Sequence, residues 1–200
     1  LHLFHATFGL YRSTQKGGCK MDVKGRHSLL TATKSETKDQ SATKGLRTYQ
    51  EGQFALEDPS LLAGTPDFDD GISLVILAIF PNLVVQQIAN SLAVRHIHPR
   101  SVKEMELVWT YFGYKDDSPA ARESRLRQMN LVGPGGLISM EDGEAVELVQ
   151  QAIVRDGDAT SYIAMGGRKG EPQDNLVNEA PIVSYWDYYK RAMHISSTES

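Results

Sequence analysis

Between Gly71 and Tyr114 the chain is written in strand language. GISLVILAIF, LVVQQIANSLAVRHIHP and EMELVWTYFGY are rich in β-branched and aromatic residues, and Pro-Asn and Pro-Arg-Ser turn signals separate them. Three consecutive strands with short turns predict an antiparallel meander. Within the second, Leu92, Val94, His96 and His98 alternate with Ala93, Arg95 and Ile97, so one face of the sheet is predicted to be buried. Upstream, His27 to Leu30 reads as a short strand. Leu3 to Tyr11 is apolar and aromatic in a helical rhythm and runs into Gly17 and Gly18, like the tail of a longer helix. The stretch TATKSETKDQSATKG (residues 31–45) has almost no large apolar side chain. It cannot bury enough surface to offset its ordering entropy, which predicts a surface loop or insert.

The period changes to that of helices after Tyr114. Ser118-Pro119 opens one helix and the Gly133-Pro134-Gly135-Gly136 cluster closes it. A second follows in ISMEDGEAVELVQQAIV, with Val146, Val149 and Ile153 spaced for one face. A Gly-rich loop leads to a last helix in NEAPIVSYWDYYKRAM, crowded with aromatic residues. Strands in a block followed by helices predict an α+β domain, with helices on one side of an antiparallel sheet.

Composition narrows the function. Two hundred residues, 40% hydrophobic and 23% charged, make one globular domain. A net charge of −4 with scattered Lys and Arg argues against a nucleic-acid partner. The longest apolar run, Ile72 to Phe80, is stopped by Pro81 well short of the roughly 20 residues a membrane helix needs. A single cysteine, Cys19, excludes a disulfide framework, a cysteine-rich zinc site and an iron–sulfur cluster held by this chain alone, and it fits a reducing cytoplasm. Leu1 is not an initiator residue and no signal peptide follows it, so the chain reads as processed or as a piece of a longer one.

Among six histidines, His96 and His98 share a strand face, where an ordinary polar strand end outweighs a metal pair, and His2 and His5 share a helix face. In SMEDGEAVELVQ, Ser139 and Asp142 fit a helix N-terminal capping signal. The acidic density, Glu141, Asp142 and Glu144 in one turn after a glycine bend, calls for something positive nearby. A divalent metal and an arginine are both candidates. No Gly-x-Ser-x-Gly, P-loop or dinucleotide fingerprint is present.

Taken together, LHLFHATFGLYR, IFPNLVVQQIANSLAVRHIHP, ELVWTYFGY, RLRQMNLVGPGGLISMEDGEAVELVQ and MGGRKGEPQDNLVNEAPIVSYWDYYKRAM resemble, in order, the C-terminal catalytic domain of Rieske-type aromatic-ring-hydroxylating dioxygenase large (alpha) subunits. The resemblance implies a helix-grip fold and a mononuclear Fe(II) held by two histidines and a carboxylate, the facial triad with open positions for O2. By this likeness Asp142 is the carboxylate and His2 the second histidine of an Asp-x-Tyr-His-x4-His motif. The chain would then be an N-terminally truncated domain, 1–200, cut inside a metal site. Leu131, Val132, Leu137 and Ile138 become candidates for the substrate pocket wall, with ordinary core packing an equal alternative. The Rieske [2Fe-2S] cluster belongs to an N-terminal domain whose Cys-x-His and Cys-x-x-His motifs this sequence does not contain, so the piece alone is expected to be inactive. Further implied are an aromatic substrate and O2, electrons from NADH through a reductase, in some members by way of a ferredoxin, and a homotrimer of alpha subunits, with or without a small beta subunit. The strand and acidic-helix segments look most like members acting on salicylate, anthranilate or terephthalate. The competing reading is a helix-grip module that binds a hydrophobic ligand without chemistry, or an inactive remnant.

Overall fold

The computed structural model describes residues 19–33, 58–65, 67–159 and 179–195. Six strands form one sheet: β1 (Cys19–Lys24), β2 (His27–Thr33), β3 (Ile72–Ile79), β4 (Leu83–Ile88), β5 (Ser91–Pro99) and β6 (Met105–Phe112). They lie side by side in chain order and every neighbouring pair is antiparallel. The predicted meander is therefore present and larger than the pattern indicated. The strand seen at His27 runs on to Thr33, so residues 31–33 belong to the sheet and not to the loop. It pairs with β1 across a Gly25-Arg26 turn in which Gly25 takes φ +61°. The rest of the predicted loop, 34–45, and the apolar segment Leu3 to Tyr11 lie outside the described residues.

The long second strand is in fact two. It folds back at Ala89-Asn90, where Ala89 adopts φ 50°, and the apolar alternation gives no warning because neither turn residue is glycine or proline. Side-chain hydrogen bonds hold the turn instead. The Asn90 amide nitrogen donates to Gln128 Oε1 (2.8 Å), its Nδ2 donates to the Thr65 carbonyl (2.7 Å), and its Oδ1 accepts from Thr65 N (3.0 Å).

Among the described residues three α-helices accompany the sheet, α1 (Pro119–Val132), α2 (Leu137–Arg155) and α3 (Ala180–Ala192). The α1 start is as predicted, with Ser118 Oγ accepting from Ala121 N at 3.2 Å and Pro119 in the first turn, where its missing N–H costs nothing. Helix α1 packs on β5 and touches α2, while α3 packs against β1 and β2. The α1 anchor is Arg125, 6% exposed, which donates to both carboxylate oxygens of Asp117 and of Asp67 and to the Asn90 carbonyl (2.6 Å). One side chain thus ties the helix to the β4–β5 turn and to the loop before β3.

The predicted cap at Ser139 is not where α2 begins. The N-cap is Gly136, with no side-chain cap bond, and Ser139 and Asp142 lie inside the helix. The physical reason is burial: Ile138 packs with Leu131 and Val132, and with Ile88 of β4, which draws the helix start forward to Leu137. Val146, Val149 and Ile153, spaced for one face of this helix, are 56%, 59% and 59% exposed.

Candidate metal centre

The register assigns side chains to faces, because partners across an antiparallel pair point the same way. Gln86, Ala93 and Tyr111 are aligned across β4, β5 and β6, and Ser91 and Arg95 flank Ala93 on the same face. This is the face under the α1–α2 junction. A methyl group added at Gly133, between the two helices, would come within 2.6 Å of the Tyr111 hydroxyl, and Ile88, on the same face, meets the apolar cluster of both helices. The alternation on β5 is thus weighted opposite to its hydrophobicity. The deepest positions are the small ones, Ser91 at 1% and Ala93 at 2% exposure, while Leu92, Val94, His96 and His98 are half-buried on the other face.

Asp142 sits in the second turn of α2 and is half-buried, as is Glu141; Glu144 is exposed. The carboxylate-rich turn called for a positive charge, and an arginine is present. Arg95 is largely withdrawn from water, which depresses its guanidinium below its ordinary range; the charges of Asp142 and, less strongly, Tyr111 act in the opposite sense. Its guanidinium lies over the Trp109 ring, 5.1 Å from the centroid. Burial likewise pushes the Tyr111 phenol up, offset in part by Arg95.

The floor around Ala93 is unusual in its polar accounting. Among the described residues, both amide atoms of Gln86, the Ser91 hydroxyl, Arg95 Nε and the Tyr111 hydroxyl are buried without a hydrogen-bond partner. Buried polar atoms are satisfied in the great majority of cases, and each exception in a native fold marks strain, bound water or a function. Sequence reading passed over these residues; the available signal was an arginine and a glutamine on the small-residue face of otherwise apolar strands. A cavity of about 520 Å³ opens beside them, between the β5–β6 edge and α1, with Ser91, Tyr111 and Met129 in its wall.

Of the sequence-predicted site residues, Leu131, Val132 and Ile138 come together as the buried apolar cluster next to this floor, and Leu137 is half-buried beside them. In this structure they serve as core packing. His2 lies outside the described residues. Among the described residues no group of three His, Cys, Asp or Glu side chains is placed to hold a metal. What they offer is one carboxylate, Asp142, whose hard oxygen donors fit Fe(II) as one member of a mixed imidazole and carboxylate set. His96 and His98 stand ring to ring on the outer face (centroids 3.9 Å apart), with Asn82 Nδ2 3.2 Å from His96 Nε2, away from Asp142. Among the described residues no helix is long and apolar enough to cross a membrane.

Comparison with known proteins joins these observations. The family model described as ring hydroxylating alpha subunit (catalytic domain) matches residues 4–179. The anthranilate 1,2-dioxygenase large subunit of Burkholderia cepacia is 44% identical over 96% of the chain, and the terephthalate 1,2-dioxygenase terminal oxygenase component subunit alpha 2 of Comamonas sp. is 41% identical over 96%. The salicylate 5-hydroxylase large oxygenase component of Ralstonia sp. is 35% identical, also over 96%. The chain spans about half the length of these relatives, 46%, 47% and 46% respectively. Among solved structures, naphthalene 1,2-dioxygenase from Rhodococcus sp. bound to indole superposes with a TM-score of 0.67 at 14% identity, covering 98% of this chain and 51% of that one. At that identity the likeness is one of fold, and the fold is the six-stranded antiparallel sheet with helices described above. The chain belongs to the ring-hydroxylating alpha-subunit family and carries that family's catalytic-domain fold.

Proposed function

We propose that this chain supplies the catalytic domain of an oxygenase alpha subunit, which holds mononuclear Fe(II) through His2 and Asp142 and adds oxygen from O2 to the ring of an aromatic carboxylate. The observation that carries this reading is the position of Asp142, half-buried in a helix turn that follows a glycine bend, where its charge acts on Arg95 of the polar floor. A module that only enclosed a hydrophobic ligand has no use for a carboxylate there. The relatives add chemical class, since anthranilate, terephthalate and salicylate are all benzene rings bearing a carboxylate.

When bound, the iron supplies the activation of O2, and the protein supplies the rest. Asp142 and His2 set two of the metal's positions. Leu131, Val132 and Ile138 exclude water above the ring, Leu137 borders them, and the floor around Ala93 orients the ring's polar substituents. On this reading electrons come from NADH through a reductase, with or without a ferredoxin, to a Rieske [2Fe-2S] cluster elsewhere in the alpha subunit. The working assembly is a cytoplasmic trimer of alpha subunits, with or without a small beta subunit.

Iron content is the direct test. The full-length protein should hold about one mononuclear iron per chain in addition to its cluster iron, and Asp142→Ala should lose the mononuclear iron while keeping the cluster absorbance. If Asp142→Ala retains that iron, or if the wild-type protein never contains it, the assignment fails. Survival of aromatic-ligand affinity in an iron-free wild type would instead point to the binding-module reading.

A further inference from the structure

Helix α3 carries an apolar stripe that its own sheet does not use. Ala180 and Ser184 are buried, and Tyr185 and Tyr188 stand against Phe80, which fastens the helix to β1 and β2. Ile182, Trp186, Tyr189 and Met193 follow one another at intervals of four, three and four residues, which at 3.6 residues per turn makes a single stripe about 60° wide, nearly opposite Ser184. Met193 belongs to it because its N–H still bonds to the Tyr189 carbonyl at 2.9 Å. Ile182, Trp186 and Met193 are each about half exposed, Tyr189 is half-buried, and Trp186 stands edge-on to Tyr189 with ring centroids 5.5 Å apart. A helix stripe of this kind is ordinarily turned to a core, and one left in water marks an interaction site.

We propose that this stripe is a two-fold contact between two copies of the chain, made by antiparallel pairing of their α3 helices. Two properties select a second copy as the occupant. The first is spacing. Intervals of four, three and four read the same from either end, so the antiparallel register sets Ile182 against the second copy's Met193 and Trp186 against its Tyr189, and symmetry repeats both contacts. The aromatic pairs then fall at the centre of the contact, where interface energy concentrates. The second property is charge. Asp187 and Lys190 lie on one flank of the stripe, the flank away from Tyr185, and the antiparallel register brings Lys190 of each copy within about 3 Å, along the helix axis, of the other's Asp187. A parallel pair would instead bring that flank against Tyr185 and Ala192 and make no ion pair. A helix about 20 Å long offers less than the roughly 800 Å² per partner of a standard interface, so one such contact is weak alone. In an assembly that carries several copies, such as the trimer proposed above, the contacts act together. The pairing does not depend on the iron reading.

The test is cysteine cross-linking in the full-length protein, with Cys19→Ser as the background and blank. Ile182→Cys and Met193→Cys together should give a covalent dimer with a short bismaleimide, read on a denaturing gel. Either substitution alone should not, because the antiparallel register holds the two copies of one position about 16 Å apart. Adding Trp186→Glu should lower the dimer yield about tenfold, and in the otherwise native sequence it should lower the mass found by sedimentation at equal concentration. Lys190→Asp sets an acid beside Asp187 and should also weaken the pairing, whereas Asp187→Lys combined with Lys190→Asp should restore it, a rescue that a misfolded helix does not show. Cross-linking in either single cysteine variant means another register and overturns the antiparallel contact. A double variant that gives no dimer, with wild type and Trp186→Glu of equal mass, puts a different occupant on the stripe and overturns the proposal.

Discussion

Two arginines on neighbouring elements show how differently one residue type is used. Arg125 is saturated with partners, and removing it strands the carboxylates of Asp67 and Asp117 in a nearly dry setting. Arg125→Met is expected to cost about 3 kcal/mol of unfolding free energy, read from urea denaturation. The same pair makes stability pH-dependent. Hydrogen bonding from Arg125 lowers the Asp117 carboxyl below its ordinary value, so its contribution is fully present above about pH 4 and is lost as pH falls through the lowered native value. Wild type should therefore show a steeper loss of stability below about pH 4 than Arg125→Met does, by thermal melts across that range. The proposed ligand role of Asp142 comes from the family likeness, because an acid near a helix start has a simpler explanation in capping. Arg95 was not legible, since an alternating strand gives no sign of which face is deep until the neighbouring strands supply register.

At the scale of elements, the Ser-Pro start of α1 and the glycine cluster after it could be read directly, because their causes are local. The turn at Ala89-Asn90 could not. Its stability comes from Thr65 and Gln128, residues 25 and 38 positions away in the chain. The start of α2 was misplaced for a similar reason, burial of Ile138 outweighing the Ser139 and Asp142 signal. The α1–α2 bend is where the fold leaves least room. At Gly133 a Cβ would collide with the Met129 carbonyl and approach the Tyr111 hydroxyl at 2.6 Å, whereas at Gly135 it would meet nothing within 4 Å. Gly133→Ala is expected to cost about 2 kcal/mol and to weaken iron retention by moving α2. Gly135→Ala should leave both within error, which makes it the matched control for urea titration and iron analysis.

For the whole molecule, the meander places the two helical attachments at opposite ends of the strands. Helix α1 is fastened at the Ala89-Asn90 turn, and α3 at the other end, where Phe80 meets Tyr185 and Tyr188 (ring centroids 5.2 Å and 4.9 Å apart) and Arg26 donates to the Tyr188 hydroxyl at 2.7 Å. Phe80→Ala should cost about 2 kcal/mol, less than for a fully buried phenylalanine, and its effect should add to that of Arg125→Met within about 0.5 kcal/mol because the two sites share no partner. Strong coupling between them would mean that the helices communicate through the sheet. The α+β class and the meander were visible from chain order alone, because each strand pairs with its sequence neighbour. The alignment of Asp142, Arg95 and Tyr111 was not, since it arises from three elements brought together by packing.

The account stands or falls on what occupies the space beside Asp142. Anomalous X-ray scattering at the iron absorption edge, from crystals of the full-length protein, locates that atom directly. The account predicts a single iron peak within bonding distance of the Asp142 carboxylate and of the His2 imidazole, distinct from any cluster iron. A map with no peak at Asp142, or with the mononuclear iron on other side chains, would contradict it.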